Sequence, residues 1–327
     1  MILTGVLVAL TIAEVTLRLI GFGVVTPQMS FGMHARTALD TGYFVPDATL
    51  FWKVSRGANA RSGRAANFVH PDQLLPPPGV RKRLLVLGDS CSRVTVNGPP
   101  YSAHLQAALG RAEWEVLNAS VPGYSSYQGL IWLRSQLLDA EPDVVVVFYG
   151  WNDHWRTTGM TDREYERSIK PTYVRLLTLF KGRADPPPFR VSLDEYRENL
   201  QSIIDEVGAG GGRVILIANP YGFTPEILER YIEDNYLVAG DSAEDLHRAY
   251  LDVVREFAGG DGVTVLGADV IFPALGRATP LLRRDGIHFT DAGHRAMGAL
   301  LAELIRSGRG GDGTAAPALL AAARRAL

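Results

Sequence analysis

Cysteine is nearly absent from this sequence, and neither sign of charge is in excess. Cys91 is the single cysteine in 327 residues, which excludes an intrachain disulfide and a multi-cysteine zinc site but leaves the redox compartment open. With 33 Lys and Arg against 35 Asp and Glu, the formal net charge is −2. No basic field exists to draw nucleic acid, so no nucleic-acid partner is expected. Internal repeats of the solenoid kind are missing, as is the G-x-S-x-G nucleophile elbow, which disfavours an α/β-hydrolase proper. The glycine-rich string "GAGGGR" at 208–213 precedes a strand instead of following one; it is expected to end a helix and not to cradle a pyrophosphate. His288 and His294 lack the spacing and companions of a zinc site, and nothing in the chain calls for a metal or cofactor.

Long apolar runs are scarce too, with one exception at residues 1–25, "MILTGVLVALTIAEVTLRLIGFGVV", where Glu14 is the first charged side chain. At a bilayer centre Glu14 and Arg18 would each cost roughly 2.5–3.5 kcal/mol, comparable with the whole gain from the apolar residues at ~0.3–0.6 kcal/mol each. Spaced four apart on a helix, they can pair, and Arg18 lies near the end where it can snorkel. The segment reads as a membrane anchor, with a cleaved signal and a buried amphipathic helix as alternatives. No Lys or Arg precedes the run while Arg18 and Arg36 follow it, a bias that by itself favours a cytoplasmic body.

What is present suits one globular α/β unit, 46% hydrophobic and 21% charged. Residues 26–80 are rich in Gly, Pro and isolated aromatics and read as an irregular leader. From residue 81 to 306 short apolar runs ending in Gly, Asn, Asp or Pro ("RLLVLGDS", "WEVLNASVPG", "DVVVVFYGWND", "RVILIANP", "VTVLGADV") alternate with helical stretches such as "LDEYRENLQSIIDEVG". That alternation predicts a parallel sheet covered on both faces, with ligands at the carboxyl ends of its strands. Residues 154–190 read as an insertion and a possible lid over the site. Residues 307–327 read as a Gly-rich linker followed by an alanine-rich helix.

The strand ends carry complementary chemistry. Ser90 closes the first run, Gly123 follows the second, Asn152 the third, and "RRDGIHFTDAGH" supplies Asp285 and His288. A serine hydroxyl needs an imidazole to remove its proton, and the imidazole needs a carboxylate to fix its tautomer. Asp285, three residues before His288, can reach Nδ1 in a tight turn and leave Nε2 for Ser90. The backbone N–H groups of Ser90 and Gly123 and the amide of Asn152 can then serve an oxyanion. Asp89 and Asp153 are expected to support the site, Asp153 by holding its loop. Trp151, Trp155 and His154 are candidates for the substrate cleft, although His154 can equally be a packing residue. Read singly, Ser90 is a cap or turn residue, His294 a helix residue and Cys91 a small buried hydrophobe.

The four blocks "GDS" at 88–90, Gly123, "GWND" at 150–153 and "DGIH" at 285–288, in that order, closely resemble the SGNH (GDSL-type) hydrolase superfamily. The resemblance implies a three-layer α/β/α flavodoxin-like fold, Ser90 as nucleophile, His288 as base, Asp285 as its partner, and an oxyanion hole of Ser90, Gly123 and Asn152. One departure is Cys91, where many relatives carry a bulky apolar residue. The lead-in "LRLIGFG" is similar to that of envelope-anchored bacterial members, which implies a body outside the cytoplasmic membrane against the charge bias above. The expected function is a serine esterase removing acyl groups, acetyl among them, from a carbohydrate or lipid-linked glycan. An O-acyltransferase using the same serine, and a non-catalytic envelope assembly protein on the same fold, are the rival readings.

Overall fold

The computed structural model describes residues 2–22, 42–61, 67–76, 79, 81–157, 159–170, 172–180, 182, 184–275, 280–307 and 317–327. Five parallel strands form the central sheet: β3 (Lys82–Gly88), β4 (Trp114–Ser120), β5 (Val144–Phe148), β6 (Arg213–Ala218) and β7 (Val263–Gly267). Their spatial order is β4-β3-β5-β6-β7. The strand order therefore reverses at β3, and the crevice at its carboxyl end is where such sheets bind ligands.

Alternate side chains of each strand face opposite layers, and both faces are dry. Leu85, Leu87, Val145 and Val147 meet α4 (Ser126–Trp132), α6 (Leu193–Ala209) and α8 (Ala243–Glu256). Leu84, Val86, Val146 and Phe148 meet α3 (Tyr101–Leu109), α9 (Ala268–Leu275) and α10 (Asp291–Ser307). Each fully buried aliphatic side chain is worth roughly 1.5–3 kcal/mol, so the two layers hold the strand ends in place. The architecture is the expected three-layer α/β/α fold. The glycine string closes α6, with Gly210 as its cap and Gly211 at φ 81.

Within the leader, the described residues 42–61 and 67–76 are more ordered than its composition suggests, and residues 26–41 lie outside the described residues. β1 (Phe44–Asp47) and β2 (Phe51–Val54) pair antiparallel, and α2 (Arg56–Arg61) follows. Phe51 and Trp52 are fully buried, and the Trp52 carbonyl accepts from the Tyr124 hydroxyl at 2.6 Å. The hairpin thus braces the loop after β4 and is no loose lead-in. At the other end α11 (Pro317–Ala326), the expected alanine-rich helix, packs on α10 and buries Leu319 and Ala323. Its glycine-rich linker, 308–316, lies outside the described residues.

Candidate active site

β3 ends at Gly88, where the chain passes too close for a side chain: a Cβ there would stand 2.3 Å from Ser92 Oγ. Asp89 then caps a single 3-10 turn, Ser90–Ser92, its Oδ1 accepting the Cys91 N–H at 2.8 Å. That cap turns the half-buried Ser90 toward the cleft and sends Cys91 into the core, fully buried. From the other side comes the loop of Asp285 and His288. Gly286, at φ 73 and with a Cβ position 2.3 Å from the Gly222 carbonyl oxygen, can be only glycine without a shift. Asp285 Oδ1 accepts the N–H groups of Ile287 (3.0 Å) and His288 (2.9 Å), and Oδ2 lies 3.1 Å from His288 Nδ1. His288 Nε2 lies 2.9 Å from Ser90 Oγ.

With Nδ1–H donated to Asp285, Nε2 is left to accept the serine proton, a tautomer fixed by the hydrogen-bond network. Burial alone would raise the Asp285 carboxyl, but the hydrogen bond and charge of His288, with the two N–H groups, hold it down at about 2. It is ionised at neutral pH. Tyr231, on α7 (Pro225–Glu233), donates its hydroxyl to the Asp285 carbonyl at 2.5 Å and holds the loop from the far wall.

Asn152 follows β5 in a turn pinned by Asp153. The Asp153 carboxylate accepts the Gly150 N–H (3.0 Å), the Ser126 N–H (2.9 Å) and the Ser126 hydroxyl (2.5 Å), and burial pushes its pKa up to about 7. Asn152 Nδ2 donates to Asp89 Oδ2 at 3.0 Å and to the Tyr124 carbonyl at 3.1 Å. Wholly buried, Asp89 is itself pushed up to about 6, against the hydrogen bonds of Cys91 and Asn152 and the His288 charge. Among the described residues the N–H groups of Ser90 and Gly123 have no protein acceptor. The Gly123 carbonyl, by contrast, is held at 2.7 Å by Arg190, whose guanidinium also pairs with the buried Asp162 at 2.8 Å and reaches Gln128 at 2.8 Å.

The cleft has a volume of about 1120 Å³ and is lined by Ser90, Asn152, Asp285 and His288 together with Trp151 and Trp155. Gly123, Asp89 and Asp153 stand behind it. His154 does not line it. Its ring is fully buried, with Nε2 3.2 Å from His247 Nδ1, and burial drives its pKa down to about 3, so it packs as a neutral residue. His294 is likewise structural: Nδ1 accepts the Tyr101 N–H at 3.2 Å and Nε2 donates to the Val94 carbonyl at 3.1 Å.

Among its described residues segment 154–190, read as an insertion and possible lid, contributes only Trp155 to the cleft; Tyr165 packs edge-on against Phe51, and Asp162 and Arg190 brace the Gly123 loop. The wall opposite Ser90 comes instead from Ile227, Arg230, Tyr231 and Tyr236. Sequence reasoning missed this wall. The signal was there, because "NPYGFTP" directly follows a strand end and Thr224–Pro225 is a helix start, with Thr224 accepting the Ile227 N–H.

A family model, GDSL-like Lipase/Acylhydrolase, matches residues 86–296. The chain belongs to this family. This GDSL hydrolase is an enzyme of acyl ester hydrolysis, with its serine, glycine, asparagine and histidine blocks inside the matched span or at its strand ends. A search of curated proteins gives no match. Solved structures similar to the GDSL hydrolase include a lipase/acylhydrolase from Enterococcus faecalis, 22% identical over 69% of this chain and 96% of that one, TM-score 0.49. A catalytic mutant of Axe2, an acetylxylan esterase from Geobacillus stearothermophilus, is 19% identical over 71% and 97%, TM-score 0.44.

Proposed function

We propose that this acylhydrolase is a membrane-tethered serine esterase that removes small acyl groups, acetyl foremost, from a carbohydrate or lipid-linked glycan. The single observation that carries the chemistry is the continuous path from Ser90 Oγ through His288 to Asp285, at 2.9 and 3.1 Å, opening on a wide cleft. Ser90 attacks the ester carbonyl while His288 Nε2 takes its proton, and the ionised Asp285 stabilises the imidazolium. The oxyanion is met by the free N–H groups of Ser90 and Gly123 and by the Asn152 amide. Both hydrogens of that amide are engaged at rest, so Asn152 turns one of them from Asp89 or Tyr124 toward the oxyanion as charge develops. His288 then protonates the leaving alcohol, and water attacks the acyl-enzyme with the same base.

Cleft shape supports a glycan. Trp151, Trp155, Tyr231 and Tyr236 line the cleft beside Ser90 with largely buried rings, so its wall is mostly apolar, and the volume exceeds what an acetyl group needs. The tether is α1 (Ile2–Leu19), of mean hydropathy 1.9 and with no buried residue; it is the one helix among the described residues long and apolar enough to cross a membrane. The reading puts the body outside the cytoplasmic membrane, in keeping with the resemblance of the lead-in "LRLIGFG" to that of envelope-anchored bacterial members. The test is a panel of acyl esters and acetylated glycans assayed beside Ser90→Ala, with water and a sugar hydroxyl offered together. Free acid as the main product, lost in Ser90→Ala, is expected. Acylated sugar as the main product would make the enzyme a transferase, and no turnover of any ester would remove the reading.

A further inference from the structure

We infer that residues 172–180 form a second membrane contact, an interfacial shelf clamped to α1, and that α1 is therefore a retained anchor and not a removable leader. The inference rests on the tether proposed above. Its starting point is the pair of charges that makes α1 a poor transmembrane helix on its own. Glu14 and Arg18 pair at 2.7 Å, and both also grip the body. Glu14 accepts the Arg175 N–H at 2.9 Å and the Leu176 N–H at 2.8 Å, and Arg18 donates to the Tyr173 carbonyl at 2.5 Å. These bonds seat the 3-10 segment Arg175–Phe180 along the C-terminal third of α1. Ionisable groups tolerated at membrane depth are those paired with each other or with backbone groups, and here both conditions are met.

The shelf turns its apolar side chains outward. Leu177 is 61%, Leu179 53% and Phe180 79% exposed, beside a helix whose Ile12 is 61% and Leu19 82% exposed. A soluble monomer rarely leaves so much contiguous apolar surface uncovered. The occupant is a phospholipid bilayer, because the shelf continues a helix already of membrane hydropathy. At 1.5 Å per residue, α1 is about 27 Å long, close to the ~30 Å hydrocarbon thickness. Its clamped third then lies at one interface, where Phe180 and Leu177 enter the headgroup boundary.

The test uses full-length protein in vesicles of phosphatidylcholine and phosphatidylglycerol. An environment-sensitive fluorophore is attached at Phe180→Cys or, as a reference, at the exposed Arg248→Cys; the buried Cys91 does not compete. Lipids brominated on their acyl chains should quench the label at 180 at least about twofold more than that at 248. Glu14→Ala should halve the quenching at 180 while flotation with vesicles and turnover of a short soluble ester persist. Flotation with no quenching at 180 overturns the shelf and leaves the tether standing. Failure to float removes the tether, and the shelf with it. Shielding of the label by concentration-dependent dimers, without lipid quenching, would assign the surface to a second copy and overturn the inference. Unchanged quenching in Glu14→Ala would overturn the clamp.

Discussion

The loop of Asp285 and the floor beneath Asn152 are built from the same chemistry, carboxylates receiving backbone N–H groups, yet their acids move in opposite directions. Asp285 is held at about 2 beside an imidazole at the cleft edge. Asp89 and Asp153, wholly buried, are pushed up to about 6 and about 7 even with hydrogen bonds to each. Desolvation prevails at the two wholly buried acids, whereas at the half-buried Asp285 the hydrogen bond and charge of His288, together with two backbone N–H groups, outweigh it. In the proposed mechanism the two regions do different work: Asp285 keeps a charge ready to stabilise His288, while the floor carboxylates fix the turn that carries Asn152.

The largest expected effect breaks the Asp285 side. Ser90→Ala and His288→Ala should each lower kcat by at least about 10⁴-fold, and the double variant should add little, because the three groups act as one unit. Asp285→Asn should approach the same loss, about 10⁴-fold, through the wrong imidazole tautomer. Steady-state kinetics on a small ester checks both.

On the floor the effects should be smaller. Asn152→Ala should slow the acyl step by about 10²–10³ and leave KM nearly unchanged, because the proposed bond to the oxyanion would form only in the transition state. Arg190→Lys breaks the fork that joins Asp162 to the Gly123 carbonyl, and kcat should fall by about 10- to 100-fold as the Gly123 N–H loses its aim. Unfolding of this variant should show the weakened buried pair, at ~1–3 kcal/mol.

The smallest effect sharpens the comparison through stability. Asp89 has a folded value of about 6 against 3.8 as its ordinary one, so the native state binds its proton more tightly. Stability from this group is present at low pH and lost as pH rises from about 4 through about 6. Denaturation of the wild type against Asp89→Asn should show the advantage of the wild type shrinking by roughly 1–3 kcal/mol over that window. For Asp285 the sign is reversed: its contribution is full above about 4 and lost as pH falls toward 2.

The buried strands and the residues that end them were legible because each announces itself locally, by an apolar run and a turn residue. "GDS", "GWND" and "DGIH" could be read the same way. The wall of Ile227, Tyr231 and Tyr236 was signalled only by a helix start after a strand end; which residues face the site was not legible, since α7 turns its apolar side to a cleft and looks like any amphipathic surface helix. The β1–β2 hairpin was hidden for another reason: four-residue strands are too short for a period to emerge, and Phe51 and Trp52 are buried only by distant partners. Segment 154–190 reads from its length as an insertion, and nothing local announces that its Asp162 and Arg190 work inward on the Gly123 loop.

Treatment of the folded protein with a fluorophosphonate, followed by intact mass and peptide mapping, tests the central claim most directly. One adduct per chain on Ser90 is expected, formed by the wild type and lost in His288→Ala. Ester turnover that continues with Ser90 unmodified, or an adduct on any other residue, would contradict the assignment of Ser90 as nucleophile.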